Sequence, residues 1–215
     1  MTAGFDGVAR VYRFLEYAAF GRTLQRARVA FTDRLTGCQS VLILGEGDGR
    51  FLADLARRLP ASRMHCVDAS EAMLTLAARR LSVADRTRIT FERADARALD
   101  LGARTYDAVV TLFFLDCFST EQVEALVARV SARLRPGAPW LFADFAIPPR
   151  GPARWQARVI VGGLYTFFRW RTGIVARELP ASERALQRAG LTLAGEREFR
   201  LGLVRSAVYA VPAHS

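Results

Sequence analysis

The chain has 215 residues, 51% of them hydrophobic, and a formal net charge of +10; its 31 basic residues are all arginine, and lysine and asparagine are absent. That length can bury a sizeable core, and three cysteines at 38, 66 and 117 exclude a disulfide framework or a zinc site. No segment approaches the roughly 20 apolar residues of a membrane span, and Asp6, Arg10 and Arg13 stand where a secretory signal would be apolar, so a cytoplasmic location is expected. The missing residue types have A-rich codons, so the arginine usage reads as coding bias before function. The charge still favours polyanions and anionic surfaces.

Phe5, Val8, Tyr12 and Leu15 recur at helical spacing and predict an amphipathic helix near the start. Val41-Leu-Ile-Leu44 then suits a strand buried on both faces of a parallel sheet. It runs into Gly45-Glu46-Gly47-Asp48-Gly49, where glycines permit a sharp turn and close approach of backbone to a ligand. Phe51, Leu52, Leu55, Ala56 and Leu59 continue at helical spacing until Pro60. Strand, glycine loop and helix form the first unit of a nucleotide-type site, with the ligand beyond the strand's carboxyl end.

Arg63–Asp68 reads as a second strand ending in an acid. An acid about 20 residues past the loop sits where it can accept from both ribose hydroxyls. Its bland alternative is to start the next helix, Ala69–Leu81, for which Ser70 is a natural N-cap. The third glycine falls two positions after the second, whereas the dinucleotide fingerprint wants three. Arg50 also fills the place a pyrophosphate needs at the helix start. The spacing leans away from NAD.

Farther along, Phe91-Glu-Arg-Ala-Asp95-Ala96 places an acid after a third strand, and Tyr106–Phe114 reads as a fourth, followed by Leu115-Asp116-Cys117-Phe118. Ser119–Leu134 is a helix opened by a capping box of Ser119 and Gln122. A Pro136-Gly137 turn leads to a fifth strand through Phe142. A helix is expected from Ala153 to about Arg171, with Arg154, Arg158, Tyr165 and Arg169 on one face and an apolar set on the other. Ala181–Ala189, closed by Gly190, is the last helix, and Leu191–Phe199 with Val204–Val211 predicts an edge hairpin.

Taken in order, these five motifs resemble the class I S-adenosylmethionine-dependent methyltransferases, over nearly all of residues 1–211. The front segment resembles the small-molecule branch related to ubiquinone and menaquinone biosynthesis. The resemblance implies an α/β fold: a Rossmann-like, seven-stranded, mostly parallel sheet with helices on both faces and a C-terminal antiparallel strand. It implies one domain, with residues 1–37 as a helical lid and 146–180 as an inserted substrate cover. S-adenosylmethionine is the cofactor implied, held by Gly45, Glu46, Gly47, Asp48, Gly49, Asp68, Ala69, Asp95, Ala96 and Tyr12. The family usually carries an acid two residues before the first glycine, where this chain has Ile43. Glu46 or Asp48 would then face the methionine ammonium, and Glu46 is the choice made here.

The expected reaction is methyl transfer to a small, largely apolar or aromatic acceptor, lipid-like or acidic among the options. Asp116 is the best-placed base, with a loop or cap role as its alternative. No metal site is expected. An arginine face of Arg154, Arg158 and Arg169 allows a charged solvated face, contact with an acidic substrate group, or docking on anionic membrane. Nucleic-acid methylation is the rival reading, weakened because Phe113-Phe-Leu-Asp-Cys117 lacks the asparagine and prolines of base-modifying enzymes. A non-catalytic S-adenosylmethionine-binding partner protein is the other.

Overall fold

Val41, Leu42, Ile43 and Leu44 are all buried, as a strand covered on both faces requires, and they form β1 (Ser40–Leu44). The computed structural model describes residues 22–148, 155 and 179–213. Most of the expected lid, with Tyr12, and most of the 146–180 cover, with Arg154, Arg158 and Arg169, lie outside the described residues.

After a short helix α1 (Thr23–Arg28) and β1, the chain alternates between helices and strands. It forms α2 (Arg50–Arg58), β2 (Arg63–Asp68), α3 (Glu71–Arg79), α4 (Val83–Arg86), β3 (Ile89–Arg93) and β4 (Ala108–Leu112). Then follow α5 (Thr120–Ser131), β5 (Pro139–Phe145), α6 (Ser182–Arg188), β6 (Thr192–Phe199) and β7 (Val204–Ala210). The strands make one seven-stranded sheet in the order β3-β2-β1-β4-β5-β7-β6. The pairings β3-β2, β2-β1, β1-β4 and β4-β5 are parallel, and β7 runs antiparallel to both its neighbours.

Alternation along the strands sorts the core into two layers. Leu42, Leu44, Val67 and Val109 meet Val123, Leu126 and Val127 of α5 and Leu186 of α6 on one side. Val41, Ile43, Cys66 and Val110 meet Leu52 and Leu55 of α2 and Leu74 of α3 on the other. The order of strand addition reverses between β1 and β4, since β2 and β3 lie to one side and β4 and β5 to the other. That switch point opens a crevice beyond the carboxyl ends of β1 and β4.

Element ends follow capping chemistry. The expected helix over 69–81 is shorter: Ser70 accepts from the Met73 amide at 3.3 Å to start α3, which stops at Arg79. Ser82 then accepts from the Asp85 amide at 3.1 Å and starts α4, a helix that apolar spacing alone does not reveal. The Ser119–Gln122 capping box forms as the motif predicts. Asp107 ties the base of β1 to β4, accepting from the Gln39 and Ser40 amides at 2.9 and 3.0 Å. Among the described residues no helix is long and apolar enough to cross a membrane.

Candidate functional site

The loop between β1 and α2 owes its shape to three left-handed glycines, with φ of +70° at Gly45, +71° at Gly47 and +82° at Gly49. Their surroundings differ. A Cβ on Gly45 would fall 2.0 Å from Cδ2 of Phe114, and one on Gly49 would fall 2.3 Å from Cα of Ala77. At Gly47 it would meet nothing within 4 Å. The outer glycines let the loop nest against β4's extension and α3, and the middle one leaves its backbone uncovered.

Asp68, at the tip of β2, reaches across to this loop. One carboxylate oxygen accepts from the Gly47 amide at 3.3 Å, and the other from the Ser70 amide at 2.9 Å. Burial pushes its pKa up, against the pull of these backbone bonds. Asp68 thus shapes the turn into α3, and its carboxylate stands at the carboxyl end of β2 beside the glycine loop. Ala69 beside it is exposed.

The two acids inside the loop separate cleanly. Asp48 pairs outward with Arg50 and Arg80, each at 3.1 Å, and Arg80 also donates to its carbonyl at 2.7 Å. Glu46 turns inward and accepts from the Leu52 amide at 2.8 Å, capping the first turn of α2. Burial pushes its pKa up to about 8, opposed by the Leu52 amide and the charge of Arg28. Ile43 lies in the core with 1% exposure. Of these three positions Glu46 is the one that offers a carboxyl not already neutralised by an ion pair.

Beyond β3, Asp95 caps a single 3₁₀ turn (Ala96–Ala98), accepting from the Arg97 amide at 2.9 Å, and pairs with the Arg97 guanidinium at 2.5 Å. That hydrogen bond to Arg97 holds its carboxyl below the usual range. Ala96 is buried beneath the turn.

The segment after β4 is shaped by strain. Phe113 adopts φ +55°, a left-handed conformation costly for a bulky residue, while its amide donates to the Ala143 carbonyl at 2.6 Å. Its ring packs on Phe145 with centroids 5.4 Å apart, and the Arg28 guanidinium lies 5.1 Å from its centroid. Phe114 turns the other way, over Gly45 and edge-on to Phe118 at 5.0 Å. The result is an aromatic wall beside the crevice.

Asp116 follows in the 3₁₀ turn Leu115–Cys117, where the Cys117 thiol donates to its carboxyl at 3.6 Å. Burial lifts the Asp116 pKa to about 6. Its neighbour is Asp144 near the end of β5, 4% exposed and raised well above the carboxylate range by burial and by the charge of Asp116. Cys117 lies near both and near Asp68, and burial with these charges keeps its thiol protonated. His65 is elsewhere, bonded to the Tyr106 hydroxyl at 2.7 Å and to Glu92 at 2.8 Å.

The structure thus brings Gly45, Glu46, Gly47, Gly49 and Asp68 together around one crevice, with Asp116 on the β4 side. Asp48, in the same loop, and Asp95, after β3, are each engaged by arginine. Sequence reasoning missed Asp144, Phe113 and Arg28. A signal for the first existed: an acid within Trp140-Leu-Phe-Ala-Asp144-Phe, an otherwise apolar buried strand.

Residues 41–137 match the family model described as a methyltransferase domain. No curated protein matches the sequence. Among solved structures, the chain is similar to the N-methyltransferase NodS from Bradyrhizobium japonicum WM9, at 17% identity and TM-score 0.58 over 96% of this chain and 98% of that one. It is also similar to the mitomycin 7-O-methyltransferase MmcR, at 17% identity and TM-score 0.68 over 96% of this chain and 58% of that one. A third is human N-acetylserotonin methyltransferase in complex with SAM, at 16% identity and TM-score 0.61 over 93% of this chain and 59% of that one. The chain spans little more than half the length of the last two. These likenesses establish the fold that the strand order displays.

Proposed function

We propose, from the match of residues 41–137 to a methyltransferase domain model, that the chain binds S-adenosylmethionine in the crevice above β1 and β4 and methylates a small, largely apolar or aromatic acceptor. The observation that carries the cofactor reading is the loop itself. Gly47 has open space where a Cβ would stand while Gly45 and Gly49 are closed by Phe114 and Ala77, which leaves bare backbone for a ligand at one place. No phosphate-sized cradle is needed for a ligand without phosphates, and Arg50 at the helix start is tolerated.

In this reading Asp68 accepts from the ribose hydroxyls with the lone pairs that Gly47 and Ser70 leave free. Glu46 faces the methionine ammonium. Asp95 serves the adenine amino group, and Ala69 and Ala96 border the base. The bound cofactor supplies an electrophilic methyl on a sulfonium. The protein aligns the acceptor, excludes water and removes a proton where the acceptor carries one. Phe113 and Phe145 are the acceptor's apolar wall, and Asp116 is the proton acceptor.

Calorimetric titration of S-adenosylmethionine and S-adenosylhomocysteine tests the site, with NAD and Asp68→Ala as controls. Micromolar binding of the first two, lost in the variant, supports the reading, and absence of both in the wild type overturns it. A panel of phenols, quinols and aromatic amines, followed by release of S-adenosylhomocysteine, then tests the acceptor class.

A further inference from the structure

The turn between β6 and β7 carries a residue that its geometry disfavours. Leu203 donates its amide to the Arg200 carbonyl at 3.2 Å, and between them φ is +55° at Leu201 and +82° at Gly202. Positive φ at both central positions is the type I′ pattern, which asparagine followed by glycine satisfies with little strain. The glycine is in place, but leucine holds the asparagine position, bulky, left-handed and 78% exposed. Backbone strain combined with an apolar side chain in water points to a use outside the fold. Gly202 packs against Pro148, and Ile147 beside that proline is 37% exposed. Two of the five large apolar side chains exposed among the described residues thus share this tip.

Arginines flank the tip on one face of the sheet. Leu24 and Ala27 of α1 pack against Leu203 and Val204, and Phe199 is the register partner of Val204. Arg26 is exposed on α1 with its guanidinium 6.0 Å from the Phe199 ring centroid, and Arg22 is exposed one turn before it. Arg197, two residues before Phe199 and so on the same face, is exposed and lies 5.4 Å from the Phe31 ring centroid. None of the three makes an ion pair with a described residue. The turn after Phe31 adds Asp33 and Arg34, one charge of each sign. Glu196 and Glu198 alternate with Arg197 and take the opposite face, where Glu196 binds Arg205. The edge strand therefore has a basic face and an acidic one.

β7 runs antiparallel to β5, so this turn stands at the carboxyl end of β5, the end of the sheet where the crevice opens. We infer that the β6–β7 turn docks the protein on an anionic lipid surface. Leu201 and Ile147 enter the acyl layer, and Arg22, Arg26 and Arg197 lie at the phosphates above it. An apolar tip alone would suit another protein, and arginines alone a nucleic acid. An apolar tip with a basic flank matches the two layers of a bilayer surface. An apolar acceptor dissolved in that bilayer would then lie beside the crevice. The inference goes beyond the methyl-transfer reading and is tested without cofactor or acceptor.

The whole chain is floated with vesicles of phosphatidylcholine alone or mixed with phosphatidylglycerol, at low and at high salt. Binding should favour the anionic vesicles and fall at high salt. The double variant Arg22→Gln, Arg26→Gln should weaken it by about tenfold or more. Leu201→Asn suits the left-handed turn, so its melting temperature should match or exceed that of the wild type while vesicle binding falls by about tenfold. No binding, equal binding to both vesicle types, or unchanged binding in either variant would overturn the inference. So would a dimer, read by light scattering, that Leu201→Asn returns to a monomer, because the tip would then serve a second copy. Retention of single-stranded RNA that the arginine variant loses and Leu201→Asn keeps would also overturn it. A failed S-adenosylmethionine titration strikes only the methyl-transfer reading, since vesicle binding is measured without it.

Discussion

Gly45 and Phe114 occupy each other's only room: the ring's Cδ2 stands 2.0 Å from where a Cβ on Gly45 would be. The contact joins the loop after β1 to the segment after β4, the two halves of the crevice. Gly45→Ala combines a left-handed φ with this clash, and about 2–4 kcal/mol of stability should be lost. Phe114→Ala in the same chain should return part of it, leaving the backbone strain. A double-mutant cycle by urea denaturation measures the coupling, and additive effects would refute the contact.

Gly47→Ala should behave differently. With open space around it, only the φ strain of about 1–2 kcal/mol applies. Binding of S-adenosylmethionine should fall far more than stability, since the new methyl projects into the proposed ligand path. Calorimetry beside thermal melting separates the two. Gly49→Ala, which meets the Ala77 backbone, should lose both.

Glu46 sets a pH dependence with a definite sign. Its folded pKa is about 8 against an ordinary 4.5, so between those values the folded state binds more protons than the unfolded state. Stability from this group is therefore present at low pH and falls as pH rises through that window, by up to about 1.4 kcal/mol per pH unit. The difference between wild type and Glu46→Gln, followed by denaturation from pH 5 to 8, isolates it from Asp116 and Asp144, which act with the same sign. A flat difference would show that Glu46 is ionised in the folded protein. If Glu46 faces the methionine ammonium, cofactor binding at pH 7 should also release a proton, seen as a binding enthalpy that varies with buffer.

Arg88 is a structural clamp that composition hides among 31 basic residues. Its guanidinium donates to the Leu59, Ser62 and Ala56 carbonyls at 2.9, 2.8 and 2.5 Å and pairs with Asp85 at 2.5 Å. It closes the carboxyl end of α2, where carbonyls lack helical partners. Arg88→Ala should cost about 2–4 kcal/mol by orphaning them, and Arg88→Lys should rescue little because one ammonium cannot match the fork. Thermal denaturation of both variants reads the difference.

The sheet was legible from local pattern. Apolar strands, glycine loop and N-caps each act over a few residues, so Val41–Leu44, Asp68 and the Ser119–Gln122 box stand where spacing puts them. The site's inner layer was not. Asp144 is brought beside the segment after β4 because β5 pairs with β4 and the Phe113 amide bonds Ala143, and neither relation is written in a window of sequence. Glu46 and Asp48 are equivalent acids in the chain, and they part because one points at the Leu52 amide and the other at Arg50 and Arg80. The charge pattern likewise gave no sign that Asp95 would be drawn to Arg97. Tyr12, Arg154, Arg158 and Arg169 lie outside the described residues.

The order β5-β7-β6 has a consequence for biosynthesis. β7 is the last of these seven strands to be made and inserts between two strands already synthesised, pairing β5 along its whole length from Pro139 to Phe145. Until residues 204–210 leave the ribosome, β5 is an open edge with unpaired backbone groups, and the buried acid at its end has no settled neighbours on that side. Premature termination anywhere before this strand should therefore yield an aggregating chain rather than a weakened fold.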